Sequence, residues 1–137
     1  MKRSRYGVYK VFNYKNTLNK NFYKKDTKNG THPWFFEPDN YKKKEPCSYG
    51  YATIDDALQE ANVWECEFLL KYNRLKLKKT LSMYDEIRRK DKDKLISKDS
   101  LYDREMLNNF YITLSQLIKF YDEKIIELLE WKDTLEC

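Results

Sequence analysis

One histidine, three glycines, three prolines and three cysteines are all that this chain of 137 residues holds of those types. A single His32 rules out a histidine pair for a metal or a proton relay. Three glycines leave no room for a glycine-rich phosphate loop. No HExxH, no CxxC and no Ser/His/Asp set is present. Cys47, Cys66 and Cys137 are odd in number and widely spaced, which predicts free thiols in a reducing compartment. Long apolar runs are also missing, Phe68-Leu69-Leu70 being representative, so no membrane-spanning helix is expected. Met1-Lys2-Arg3 is basic, but no apolar segment follows it, so no secretory signal is expected. Asp55-Asp56 could be imagined as metal ligands, yet their place at a helix start reads as capping. The expectation is a non-enzymatic, cytoplasmic protein with no metal and no cofactor.

What is abundant is aromatic and charged. Tyr, Phe and Trp number 12, 7 and 3. A disordered chain would be poor in them. The net charge of +5 conceals a segmented pattern. Residues 1–46 carry twelve basic and four acidic side chains. Residues 47–70 carry five acids and no base. Residues 71–98 carry eleven bases and four acids, and residues 99–137 four bases and nine acids. Such segregation concerns partners and self-docking rather than fold.

The stretch from Ser48 to Phe68 divides the chain. Tyr49-Gly50-Tyr51-Ala52 alternates large and small, as a close-packed strand does. Thr53 stands where a helix N-cap belongs, with Asp56 three residues on. Ala57, Ala61, Trp64, Phe68 and Tyr72 then recur at helical spacing. The alanines allow close approach to a sheet, and Trp64 and Phe68 are expected to bury about 2–3 kcal/mol each.

Before that stretch the chain reads as sheet. Arg5–Lys15 alternates, with Tyr6, Val8, Lys10, Phe12 and Tyr14 on one face and Arg5, Tyr9, Val11 and Asn13 on the other. Asn21–Lys25 is expected to be a second strand and Pro33–Glu37 another, stopped by Pro38. Lys28-Asn29-Gly30-Thr31 is a turn whose residues tolerate positive φ. Asp39–Pro46 is a loop containing Lys42-Lys43-Lys44. Three or four short antiparallel strands of this kind need a helix over one face.

After it the chain reads as helix. The helix from Thr53 extends to about Leu95, with Leu70, Leu77, Leu81 and Tyr84 as a second apolar stripe and a basic end from Arg88 to Lys94. A turn follows near Ser97–Ser100, with Ser100 and Asp103 as a capping pair. The last helix repeats Leu107, Phe110, Leu114, Leu117, Tyr121, Leu128, Trp131 and Leu135 in steps of three and four. Two helices of about 40 residues, about 60 Å each, predict an antiparallel hairpin. The fold class is therefore α+β: a basic, aromatic sheet-plus-helix lobe over residues 1–70 and a helical hairpin over 71–137. Tyr111, Ile118 and Leu129 lie outside the main stripe and could serve a homodimer.

The order Tyr6-Gly7-Val8-Tyr9, Pro33-Trp34-Phe35-Phe36, then Tyr49-Gly50-Tyr51-Ala52-Thr53-Ile54-Asp55-Asp56-Ala57, with Ala61 and Trp64-Glu65, resembles AP2-like domains. It is similar above all to the arm-type DNA-binding domains at the front of phage integrases. The resemblance spans residues 5–70. It implies a three-stranded sheet on one helix, with the sheet laid into the DNA major groove. It also implies that Arg5, Tyr9, Lys10 and Trp34 stand on strands that could face DNA. The Lys-, Asn- and Tyr-rich composition looks like that of a small phage or mobile-element protein.

Cations bind phosphate and flat rings bind bases or sugars. The expected partner is therefore DNA or RNA, contacted by Arg3, Arg5, Tyr9, Lys10, Lys24, Lys25, Trp34, Lys42, Lys43 and Lys44. The alternative is an inhibitor of a host defence complex, of anti-CRISPR type, docking on a nuclease or its guide RNA. A partial neutralisation of the basic lobe by the chain's own carboxylates is the competing expectation for the same charges.

Overall fold

The computed structural model describes residues 1–92 and 101–136. Three strands form one antiparallel sheet: β1 (Lys2–Arg3), β2 (Tyr9–Asn13) and β3 (Trp34–Pro38), in the order β1-β2-β3. Three helices follow the same numbering: α1 (Lys20–Lys24), α2 (Ile54–Lys92) and α3 (Leu101–Leu135). The fold is the expected α+β arrangement of a small sheet on a long helix with a second long helix after it. No helix among the described residues is long and apolar enough to cross a membrane.

The register of β2 on β3 pairs Val11 with Phe36 and Phe12 with Phe35. Alternation then sends Tyr9, Val11 and Phe36 to one face, where Ala57 and Ala61 of α2 close on them. Phe12 and Phe35 go to the other face, where Tyr23 of α1 covers them. The surplus of aromatics is thus divided between two small cores, one on each face. Phe35, Phe36 and Val11 are almost wholly buried, and each such side chain contributes about 2–3 kcal/mol.

Several sequence expectations need correction here. Asn21–Lys25 is not a strand: residues 20–24 form a single helical turn and more, because Phe22 and Tyr23 are used to cap the sheet. Arg5–Lys15 is strand only from Tyr9 to Asn13. Its first part is a turn, with Gly7 at φ +77°. Residues 2–3 supply the third strand instead. Tyr49–Ala52 contributes only an isolated bridge, Trp34 to Tyr51. The turn at 28–30 is as expected, all three residues having positive φ.

Thr53 caps α2, its Oγ1 accepting from Asp56 N at 3.1 Å. The row Ala57, Ala61, Glu65 faces inward. Trp64 stands one residue off that row and touches Tyr9 and Phe36 edge-on. It stays 41% exposed, and Phe68 stays 49% exposed, so neither is the buried anchor the spacing suggested. Cys47 and Cys66 are free thiols, while Cys137 lies outside the described residues.

The chain divides into one compact unit of residues 1–68 with 132–137, and another of residues 69–131. In the second unit Leu70 of α2 and Leu107, Leu114, Leu128 and Trp131 of α3 are buried. Asn73 and Thr80 are buried too, and each bonds back to a carbonyl four residues earlier in α2. The rings of Tyr84 and Tyr111 meet at 5.3 Å. In the first unit Gln59 Nε2 donates to Leu135 O at 3.2 Å. These contacts make α2 and α3 antiparallel. Phe110 and Leu117 of the expected stripe are exposed. Tyr111 and Ile118, placed outside it by sequence, are half-buried, because the step of four from Leu107 and Leu114 faces α2 more squarely than the step of three. The expected turn at 97–100, its Ser100 cap and the end of the basic stretch, Asp93-Lys94, lie outside the described residues.

Candidate nucleic-acid interface

The cations on the strands are answered by carboxylates of the same unit. Arg3 Nη1 donates to both oxygens of Asp39, at 3.0 and 2.9 Å. Lys10 Nζ lies 3.8 Å from Glu37 across the β2–β3 pair. Lys2 Nζ lies 4.0 Å from Asp55. Arg5 stacks its guanidinium 5.6 Å over the Tyr6 ring. Its backbone N–H donates to Asn62 Oδ1 at 2.9 Å.

One aromatic expectation, Tyr9, is corrected by burial. Tyr9 sits in the core under α2 and offers no face to a ligand. Trp34 is half-buried on the same face, fixed by paired backbone bonds to Tyr51 at 3.1 and 2.7 Å. Part of the sheet stays open: Lys10 and Trp34 line a cavity of about 430 Å³ together with Phe12 and Glu37.

The loops carry the remaining lysines. Lys24 ends α1 and Lys25 is its C-cap residue. Lys42, Lys43 and Lys44 follow Tyr41, whose Oη donates to Glu45 O and closes the loop beneath them. All five lysines are exposed. Among the described residues none of the five makes an ion pair. Lys25 and Glu45, the residue after Lys44, line one cavity. Burial pushes the Tyr23 phenol well above its ordinary value, and its hydrogen bond to Glu37 and the nearby Tyr41 push it the same way. Lys28, a residue of the 28–30 turn at φ +49°, is exposed after α1 as well. Sequence reading passed over it because the Asn-Gly beside it accounted for the turn.

Beneath the loops is a buried polar group. Tyr23 Oη donates to Glu37 Oε2 at 2.9 Å. Burial raises the Glu37 carboxyl, against smaller lowering by Tyr23 and Lys10. A folded-state carboxyl that holds its proton more tightly than the unfolded chain stabilises most below the ordinary value of 4.5. That contribution is lost as pH rises through the folded value. Glu37→Gln keeps an acceptor for Tyr23 and removes the titration. Its stability relative to the parent is expected to rise by on the order of 1 kcal/mol between pH 4.5 and pH 7. Urea unfolding at the two pH values measures it, and a parallel pH dependence in parent and variant would contradict it.

Comparison with family models, curated proteins and solved structures finds no match to this chain. The surface therefore has to be read from its own chemistry.

Proposed function

We propose that the N-terminal unit is a non-enzymatic module that contacts DNA or RNA through its loop lysines. The observation that carries this reading is a contrast. Arg3 and Lys10 are matched by Asp39 and Glu37, whereas Lys24 and Lys25 at the end of α1 and Lys42, Lys43 and Lys44 on the 39–46 loop stand exposed. The matched pairs hold the sheet, and the unmatched lysines hold phosphate. Contact of this kind is governed by counterion release, so affinity falls steeply with salt. Lys42→Gln, Lys43→Gln and Lys44→Gln together are expected to lower the slope of log K against log salt by about 2–3. Fluorescence anisotropy with a labelled duplex, repeated with single-stranded RNA, provides the measurement. Parent binding that does not respond to salt would remove the reading.

The helical unit supports a second statement, that it pairs with another copy of this chain. Phe110, Leu117 and Phe120 of α3 and Leu75 and Met83 of α2 are exposed apolar residues. Residues 71–79 carry five bases and no acid, and residues 122–130 four acids and one base. A two-fold arrangement sets the basic stretch of one copy beside the acidic stretch of the other. Light scattering is expected to give a dimer, and Phe110→Glu with Leu117→Glu a monomer. A parent that remains monomeric across a hundredfold range of concentration refutes the pairing.

A further inference from the structure

Between the turn after α1, the segment 45–51 and the start of α2 lies a cavity of about 500 Å³. Its deepest wall is Phe36, 1% exposed. Tyr51 lies nearly parallel to Phe36, at 6.1 Å and 28°. Trp64 stands at 5.3 Å and 72° to the same ring. Tyr49, 79% exposed, is the fourth ring of the lining.

Around these rings the charge is mainly negative. Asp26, Glu45 and Glu60 line the cavity, against the single cation Lys25. The Tyr51 phenol is pushed up to about 12, by burial first and then by Glu60 and Cys47, which puts the Glu60 charge close to that ring. Burial also raises the Cys47 thiol, so it stays neutral.

We propose that this cavity binds an alkylated ammonium cation, either a small quaternary ammonium or a methylated lysine side chain. Ring faces attract cations through their quadrupole, most strongly where the cation sheds water readily. An alkylated ammonium does so, and it needs no hydrogen-bond acceptor in return. The carboxylates supply the long-range attraction that a purely apolar pocket lacks. A metal ion is a poor alternative occupant, since among the described residues no three His, Cys, Asp or Glu side chains converge. This inference does not depend on the polyanion reading: the one residue they share, Lys25, would hold phosphate there and opposes the cation here.

The test is a titration of the full chain followed by NMR at the Trp64 indole N–H, assigned with Trp64→Phe. The probes are tetramethylammonium, choline, a trimethyllysine peptide with its unmethylated counterpart, and 3,3-dimethyl-1-butanol as the neutral shape match to choline. Choline is expected to bind about tenfold or more tightly than the neutral alcohol. Glu60→Gln, a change at a helix surface, is expected to weaken choline about threefold, and Lys25→Gln to strengthen it. Trp64→Leu should abolish the preference for charge. A peptide that binds tenfold more tightly than both choline and its unmethylated form assigns the cavity to methylated lysine. The reverse order assigns it to a small molecule. Equal affinity for choline and the alcohol, or shifts that never saturate, would overturn the proposal. The Lys42–Lys44 triple variant should retain choline binding, which separates this result from failure of nucleic-acid contact.

Discussion

Gly50→Ala is expected to cost about 3 kcal/mol or more of unfolding free energy. A Cβ at this position would lie 2.0 Å from the His32 carbonyl oxygen and 2.7 Å from that of Asp26. Both obstacles are backbone, so neither can swing aside. The turn that carries them is also fastened. His32 N donates to Thr27 O at 2.8 Å, and the buried Thr27 Oγ1 accepts from Gly30 N at 3.0 Å. Gly50 N itself donates to Asp26 O at 3.0 Å. To admit one methyl group the segment must lift away, breaking that bond and the Trp34–Tyr51 bridge next to it. Urea unfolding followed by circular dichroism provides the number. A midpoint within error of the parent would mean that the close approach is absent. Gly7→Ala is the control: it meets nothing within 4 Å, so its cost is only that of a residue at φ +77°, about 1 kcal/mol.

Glu65→Ala is expected to cost about 4 kcal/mol, for a different reason. Glu65 is wholly buried, yet it faces no cation in the contacts that hold it. Its Oε1 accepts from Tyr6 N at 2.6 Å, and its Oε2 from Val8 N at 2.8 Å and from Ser4 Oγ. Ser4 Oγ in turn accepts from Tyr9 N at 3.0 Å. The carboxylate therefore collects the donors of the turn between β1 and β2, work that a longer sheet would do with another strand. Removing it leaves two part-buried backbone N–H groups without their acceptor, while Ser4 Oγ keeps Tyr9 O at 3.2 Å. Glu65→Gln is expected to recover little, because an amide turns a donor toward donors. Ser4→Ala should cost only about 1 kcal/mol. If Glu65→Ala and Ser4→Ala proved equally mild, the carboxylate would not be the organising group.

These two residues also show how far the sequence could be read. Gly50 was legible: a glycine between two tyrosines, before a capped helix, signals close backbone approach. The cap at Thr53, the alternation from Tyr9 to Asn13 and the length of α2 were legible for the same reason, since each is a local pattern with a local cause. Glu65 was not. It continues the row of Ala57 and Ala61 by one further step of four, and that step should have marked it as inward-facing. Trp64, being bulky, drew the expectation of burial instead. The strand at Lys2–Arg3 and the helix at Lys20–Lys24 are too short for periodicity to distinguish. Their conformations are set by what they cover. The loop lysines were visible as residues, but Lys25 and Glu45, which line one cavity, lie 20 positions apart. No spacing rule connects such a pair.

The donors held by Glu65 have a consequence for synthesis on the ribosome. Ser4, Tyr6 and Val8 are made about sixty residues before their acceptor. A nascent chain that stops short of Glu65 leaves the Tyr6 and Val8 N–H groups to water, and the turn is held only by its own backbone bonds. This turn, although made before α2, is thus among the last parts of its unit to settle. A slow codon or a stall after Glu65 has left the ribosome would give this turn time to close before the basic stretch from Lys71 onward is exposed to compete for it.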